Sequence, residues 1–126
     1  MTRAATFDPT PDGAYTMTET QFLEAVLDVA LRFGWRRAHF RPARTRRGWR
    51  TAMSGDVGFP DVVLVHVETG TLLVRELKTA VGKVTDEQRA WLDGFAACEV
   101  DTGVWRPRDW PMIVTQLSGG RARVAR

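Results

Sequence analysis

One cysteine, one tyrosine, two histidines and two lysines are all that the 126 residues hold of these types, and each shortage excludes something. Cys98 alone cannot form an internal disulfide, which points to a reducing compartment; on a helix it reads as a small buried apolar residue. No apolar run approaches the roughly 20 residues of a membrane span, and no signal-type apolar region opens the chain, so a cytosolic protein without membrane contact is expected. A chain this short has room for one domain burying roughly 65–70% of its unfolded surface, and for no second catalytic unit. Acid is missing altogether from one stretch: Arg32 to Arg50 holds eight arginines and no carboxylate, an electrostatic footprint for a polyanion. Of the 18 Lys and Arg residues only Lys78 and Lys83 are lysine. Arginine is a permanently charged planar fork, whereas lysine is a compact charge that can lose its proton or contact one oxygen. Lysine at 78 is therefore read as kept for its chemistry, while Lys83, after Gly82 in a turn, suits a phosphate contact or plain solvation equally.

Gly58-Phe59-Pro60-Asp61 precedes an apolar run, Val62 to Val67, and a second run, Leu72 to Leu77, comes after Glu68-Thr69-Gly70-Thr71. β-Branched residues on either side of such a turn signal a β-hairpin. A two- or four-residue loop sets Val67 opposite Leu72, Val65 opposite Val74, Val63 opposite Glu76 and Asp61 opposite Lys78. Opposed residues share a face and side chains alternate, so Asp61, Glu76 and Lys78 should gather at one end of a face otherwise made of Val63, Val65, Val67, Leu72 and Val74. A three- or five-residue loop would slip the register and separate them. Two carboxylates and an amine so placed can hold an oxygen-ligated cation such as Mg²⁺.

Along the chain, residues 1–17 lack periodicity and read as an arm. Thr18-Glu19-Thr20-Gln21 is a capping-box pattern opening a helix over 18–33, with Phe22, Leu23, Val26, Leu27, Val29, Ala30 and Phe33 apolar before Gly34. Glu24 falls at the border of that apolar arc. Residues 35–40 suit a strand, and 41–58 read as a long basic loop, a length that is uncommon without a binding role. Thr85-Asp86-Glu87-Gln88 is a second capping box, opening a helix with Gln88, Trp91, Leu92 and Phe95 on one side. Val104-Trp105 gives a short strand, and Asp109-Trp110-Pro111 starts a last helix. Residues 18–118 thus form a single domain of order α-β-loop-β-β-α-β-α, and 119–126 a frayed tail. His66 faces away from Asp61 in this register and is expected to pack rather than ligate.

Glu24, Gly58-x-Pro60-Asp61, Glu76-x-Lys78, Gly82, Gln88 and Val104-Trp105-Arg106-Pro107 together resemble the VRR-NUC branch of the PD-(D/E)XK nuclease superfamily, in its stand-alone, virus-type form. The resemblance implies an α/β, restriction-endonuclease-like core, a small mixed sheet flanked by helices, acting on DNA in a bacterial or phage-infected cell. It implies Mg²⁺ or Mn²⁺ held by Asp61, Glu76, the backbone carbonyl of Leu77 and Glu24. Lys78 would orient or deprotonate the attacking water, and Gln88 would help place the lysine or the water. It further implies a homodimer similar to Holliday-junction resolvases. One departure is Ala97-Cys98-Glu99, where a glycine turn is expected between helix and strand.

Arg41, Arg44, Arg46, Arg47, Arg50 and Lys83 are the candidate phosphate contacts, because backbone contacts give affinity without sequence readout. Trp49 is a candidate to stack on a base or wedge at a branch point, the alternative being a ring folded back onto the domain. A non-catalytic DNA-binding module is the competing class, opposed by the intact Asp61, Glu76 and Lys78. Flaps, single-stranded DNA and RNA remain open as substrates beside branched DNA.

Overall fold

Both capping boxes form. In the computed structural model, which describes residues 17–40, 43–45, 48–50 and 54–119, the Thr18 hydroxyl accepts from the Gln21 amide, and the Gln21 side chain accepts from Thr18 N–H. Helix α1 then runs Glu19–Arg32 and turns Phe22, Leu23, Ala25, Val26 and Ala30 inward. Met17 packs against the same core, so it belongs to the body of the domain and not to the expected N-terminal arm.

Strand β1 (Arg36–His39) comes next, then a separate ribbon of β2 (Ala43–Thr45) and β3 (Gly48–Arg50), then β4 (Val62–His66) and β5 (Thr71–Leu77). The antiparallel ribbon corrects the reading of 41–58 as plain loop. Helix α2 (Asp86–Ala97) crosses to β6 (Asp101–Trp105). A 3-10 turn at Pro107–Asp109, helix α3 (Trp110–Val114) and a π-helical turn, Thr115–Gly119, complete the described chain. The four-stranded sheet has the order β1-β4-β5-β6. Its pairs are antiparallel except β5 with β6, as a strand–helix–strand crossover requires.

The hairpin turn is Val67–Gly70, one residue earlier than the sequence suggests, with Gly70 at φ 65°. Val63 therefore pairs with Val74 and Val65 with Leu72. Continuing this register sets Asp61 opposite Glu76 in place of Lys78. The correction is two residues, an even number, so no side chain changes face.

The two faces differ in use. Val62, Leu64, Leu73 and Leu77 join Phe22, Leu23, Val26, Ala30, Trp35, Trp105, Ile113 and Leu117 in one buried cluster, each large side chain contributing about 1.5–3 kcal/mol. His66 lies on that face, its ring nitrogens bonded to the Phe33 carbonyl and the Thr69 hydroxyl, both at 3.1 Å. It packs as expected. The opposite face carries half-buried Val63 and Val65, exposed Leu72, and buried Val74 and Glu76.

At the end of α2, the Val100 and Glu99 amides return to the Phe95 and Ala96 carbonyls, both at 3.0 Å. This is a Schellman closure, with Glu99 at φ 63° where glycine is favoured. Cys98 is the exposed C-cap, a correction to its expected burial: it ends the helix instead of facing inward. Among the described residues no helix is long and apolar enough to cross a membrane.

Candidate active site

Gly58 to Asp61 approach β4 beneath the first turn of α2. A Cβ on Gly58, which stands at φ 95°, would lie 2.7–2.8 Å from backbone atoms of Glu87 and Gln88, so only glycine allows this approach. Phe59 fills the space beside it, edge-on to Phe40, Trp91 and Phe95. The Trp91 indole donates to the carbonyls of Asp56 and Val57 at 3.2 and 3.1 Å. The segment before Asp61 is thereby fixed by α2 from its helical side and by the residue after β1 from the other, where Phe40 N–H donates to the Asp61 carbonyl at 2.9 Å.

Asp61, Glu76 and Lys78 come together as the alternation requires. Asp61 Oδ2 accepts from the Leu77 amide at 2.8 Å, which aims its carboxylate at the end of β5. Lys78 Nζ stands 3.4 Å from Glu76 Oε2, with both side chains almost wholly buried. Glu76 Oε1 is buried without a hydrogen-bond partner. Burial first, then the Asp61 charge and a hydrogen bond to Asp61 in the protonated form, push the Glu76 carboxyl up to about 8 against the opposing pull of Lys78. Like charges in a dry setting cannot both ionise cheaply. Carboxyls raised this far by burial and a neighbouring charge cluster at functional sites.

The donor set fits a small hard cation. Mg²⁺ is held by one or two carboxylates, with waters and substrate phosphates completing its shell. Two adjacent carboxylates, one with an oxygen that has no partner, meet that need. The third acid does not join them: Glu24 is exposed on α1, and among the described residues no group of three or more His, Cys, Asp or Glu is arranged to hold a metal. The reason is the packing of α1, whose inward residues cluster with Val62, Leu64, Leu73 and Leu77, on the face of the sheet opposite Asp61 and Glu76. Gln88 is also placed differently from the expectation. Its side-chain oxygen accepts from Thr85 N–H at 2.9 Å to close the capping box, so only its amide NH₂ is left to assist Lys78 or a water.

Lys83 is exposed beyond the turn that comes after Lys78. Of the basic segment, Arg44 lies in β2 and Trp49 and Arg50 in β3, while Arg41, Arg46 and Arg47 lie outside the described residues. Arg75 and Arg106 are two arginines to which the sequence assigned no individual role. Arg75, on the core face, donates to the Val74 and Asp101 carbonyls and to the Asp101 carboxylate, with its guanidinium 4.9 Å from the Trp105 ring centre. A lone charge at the alternation position between Leu73 and Leu77 is the signal that could have found it. Arg106 donates to the carbonyls of Thr79 and Gly82, both at 2.7 Å; its place after Trp105 carries no hint of those partners.

A small mixed sheet carrying an acid before one strand and Glu-x-Lys at the end of the next, flanked by three helices, defines a PD-(D/E)XK-type nuclease domain. The family model described as VRR-NUC domain matches residues 34–109, more than half of the 126 residues. The chain belongs to the VRR-NUC family, which carries a nuclease-type role in DNA processing. No curated protein and no solved structure matches it.

Proposed function

We propose that the protein is a divalent-metal-dependent DNA endonuclease that cuts branched DNA, such as a four-way junction, as a homodimer in the cytosol. The observation that carries this reading is Glu76: buried, one oxygen without a partner, beside Asp61 and 3.4 Å from Lys78 Nζ. Asp61 and Glu76 would hold Mg²⁺ or Mn²⁺, with the Leu77 carbonyl as a third donor. The ion, when bound, neutralises the phosphate and lowers the pKa of a bound water. Leu77 N–H keeps the Asp61 carboxylate in place. Lys78 orients the attacking water and meets charge that develops on the phosphate, and the Gln88 NH₂ restrains the lysine or that water.

Phosphate tracking falls to the basic segment around β2 and β3, with Arg41, Arg44, Arg46, Arg47 and Arg50, and to Lys83; Trp49 is the stacking or wedging group. Binding should therefore weaken steeply with added salt. Two active sites in a dimer would allow two strands to be cut, as a branched substrate requires.

The test is cleavage of a labelled panel (four-way junction, flap, splayed arm, linear duplex, single strand, RNA) in Mg²⁺ or Mn²⁺, with sedimentation for the dimer. Metal-dependent cutting of the junction above the other substrates is expected, together with a melting temperature raised by the metal. Tight binding without cutting under either metal would replace this reading with a non-catalytic module. Preference for flaps, single strands or RNA would redirect the substrate, and a monomer at micromolar concentration would remove the resolvase-like arrangement.

A further inference from the structure

Lys78 directly succeeds β5, and the turn beyond it has little core of its own: Thr79 is half-buried, and Ala80 and Val81 are exposed, Val81 at 86%. A catalytic ammonium beside such a turn needs an anchor, since a long side chain carries much rotamer freedom. The anchor comes from the neighbouring strand. Lys78 N–H donates to the Trp105 carbonyl at 3.1 Å, and the next residue, Arg106, reaches over the turn. Its Nη1 donates to both the Thr79 and the Gly82 carbonyls at 2.7 Å, short charge-assisted bonds of the stronger kind. Within the turn, Gly82 N–H donates to the Thr79 hydroxyl at 3.0 Å, and Gly82 packs beside Lys78, where a Cβ would lie at ordinary contact distance, 3.5 Å, from Lys78 Cδ. Arg106 is itself held, because its backbone N–H donates to Asp109 Oδ2 and Asp109 N–H returns to its carbonyl, both at 2.8 Å.

We infer that Arg106 is a positioning residue, which holds Lys78 in place by clamping the 79–82 turn against the end of β6. The inference rests on the nuclease reading above. A guanidinium beside an active site could instead bind substrate phosphate, but both hydrogens of its Nη1 are directed at protein carbonyls, which leaves only Nε and Nη2 for a substrate oxygen. The two roles separate in kinetics: a phosphate contact acts on affinity and its salt dependence, whereas a positioning residue acts on kcat.

The experiment compares steady-state cleavage and DNA affinity of wild type, Arg106→Ala, Arg106→Lys and Lys78→Ala, and of the Lys78→Ala/Arg106→Ala double variant, with amide hydrogen exchange over residues 79–82. Arg106→Ala should lower kcat about 10- to 100-fold, the scale of a slightly misplaced catalytic group, with KM and affinity within about twofold. Arg106→Lys should recover part of the rate, because a single nitrogen serves both carbonyls. In the Lys78→Ala background Arg106→Ala should cost less than about threefold, since the two act as one unit. Exchange at 79–82 should quicken in Arg106→Ala. Should that variant fail to fold, Gly82→Ala, whose methyl would meet Thr79 Oγ1 at 3.1 Å, disturbs the same turn and should also lower kcat at constant KM.

A raised KM with unchanged kcat, or full additivity with Lys78→Ala, overturns the positioning role. Unchanged exchange at 79–82 overturns the clamp whether or not the protein cuts DNA. A wild type that cuts nothing on the panel overturns the nuclease reading, and the catalytic meaning of the clamp with it, while the exchange measurement still reports on the clamp alone.

Discussion

The two faces of the β4–β5 hairpin bury polar groups in opposite ways. On the core face, His66 has a partner on each ring nitrogen, and Arg75 has two carbonyls, a carboxylate and an aromatic ring. On the other face Glu76 is equally buried, yet one of its oxygens has no partner and its nearest carboxylate neighbour repels it. Buried polar groups are normally satisfied, and a native exception calls for an explanation. The satisfied face is structural, and on the proposed reading the unsatisfied one is where a cation and a substrate would supply what the protein withholds.

The contrast breaks most sharply on activity. Glu76→Gln keeps the shape of the side chain and removes the charge, so it should cut the cleavage rate by about a thousandfold or more, the scale of losing a group that stabilises transition-state charge. Stability should stay equal or rise, because the amide, unlike a carboxyl that ionises freely in the unfolded chain, needs no proton taken up on folding beside Asp61. Initial rates in Mg²⁺ beside a melting curve check both. A Glu76→Gln protein that melts well below wild type would mean that this face, too, is built for stability.

Arg75→Ala is the mirror experiment. It removes contacts to two carbonyls, to Asp101 and to Trp105, and should cost about 2–3 kcal/mol of folding stability, read by urea titration. Cleavage per folded molecule should be unchanged at a temperature where both proteins are folded. A specific loss of activity would show that the core face reaches into the chemistry.

How far these faces could be read from sequence depends on the rule involved. Period-two alternation is insensitive to an even error, so Asp61, Glu76 and Lys78 stayed together although the turn formed one residue early. Capping boxes are local, and both formed where Thr18 and Thr85 signalled them. Glu24 was misread because a helical wheel ranks residues around α1 without stating which side of the sheet the helix covers. Gln88 carried two meanings at once, cap and site, and the cap took its oxygen. Arg106 was legible only as part of a family-like run, since its partners are backbone carbonyls 24 and 27 residues away, and carbonyls have no sequence signature.

A pH scan sharpens the contrast by a comparable amount. The Glu76 carboxyl is raised from 4.5 to about 8 in the fold, so across that window the folded state holds a proton that the unfolded state has lost. Folding then takes up a proton, and stability of the metal-free protein falls as pH rises through the window, by about 2–4 kcal/mol in all. Glu76→Gln should flatten this slope. Mg²⁺ should also flatten it, because ligation selects the ionised carboxylate and releases the proton. Melting temperatures from about pH 5 to about pH 8.5, with EDTA or with Mg²⁺, provide the check; a wild-type profile that matches Glu76→Gln in EDTA would show that Glu76 is not held protonated.

The smallest effect tests whether the tension at Glu76 is special or whether this fold is simply tolerant of cost. Glu99 adopts a left-handed conformation at φ 63°, at the exposed end of α2 where its neighbours already close a Schellman turn. A side chain there costs roughly 1 kcal/mol relative to glycine, partly offset by the greater freedom glycine has when unfolded. Glu99→Gly should therefore stabilise the protein by about 0.5–1 kcal/mol, seen as a rise of a few degrees in Tm, with cleavage unchanged. Strain at Glu99 would then be removable without loss, whereas the tension between Asp61 and Glu76 is removable only together with the activity. A Glu99→Gly protein that gains stability but loses cleavage would tie the end of α2 to the site and dissolve the distinction.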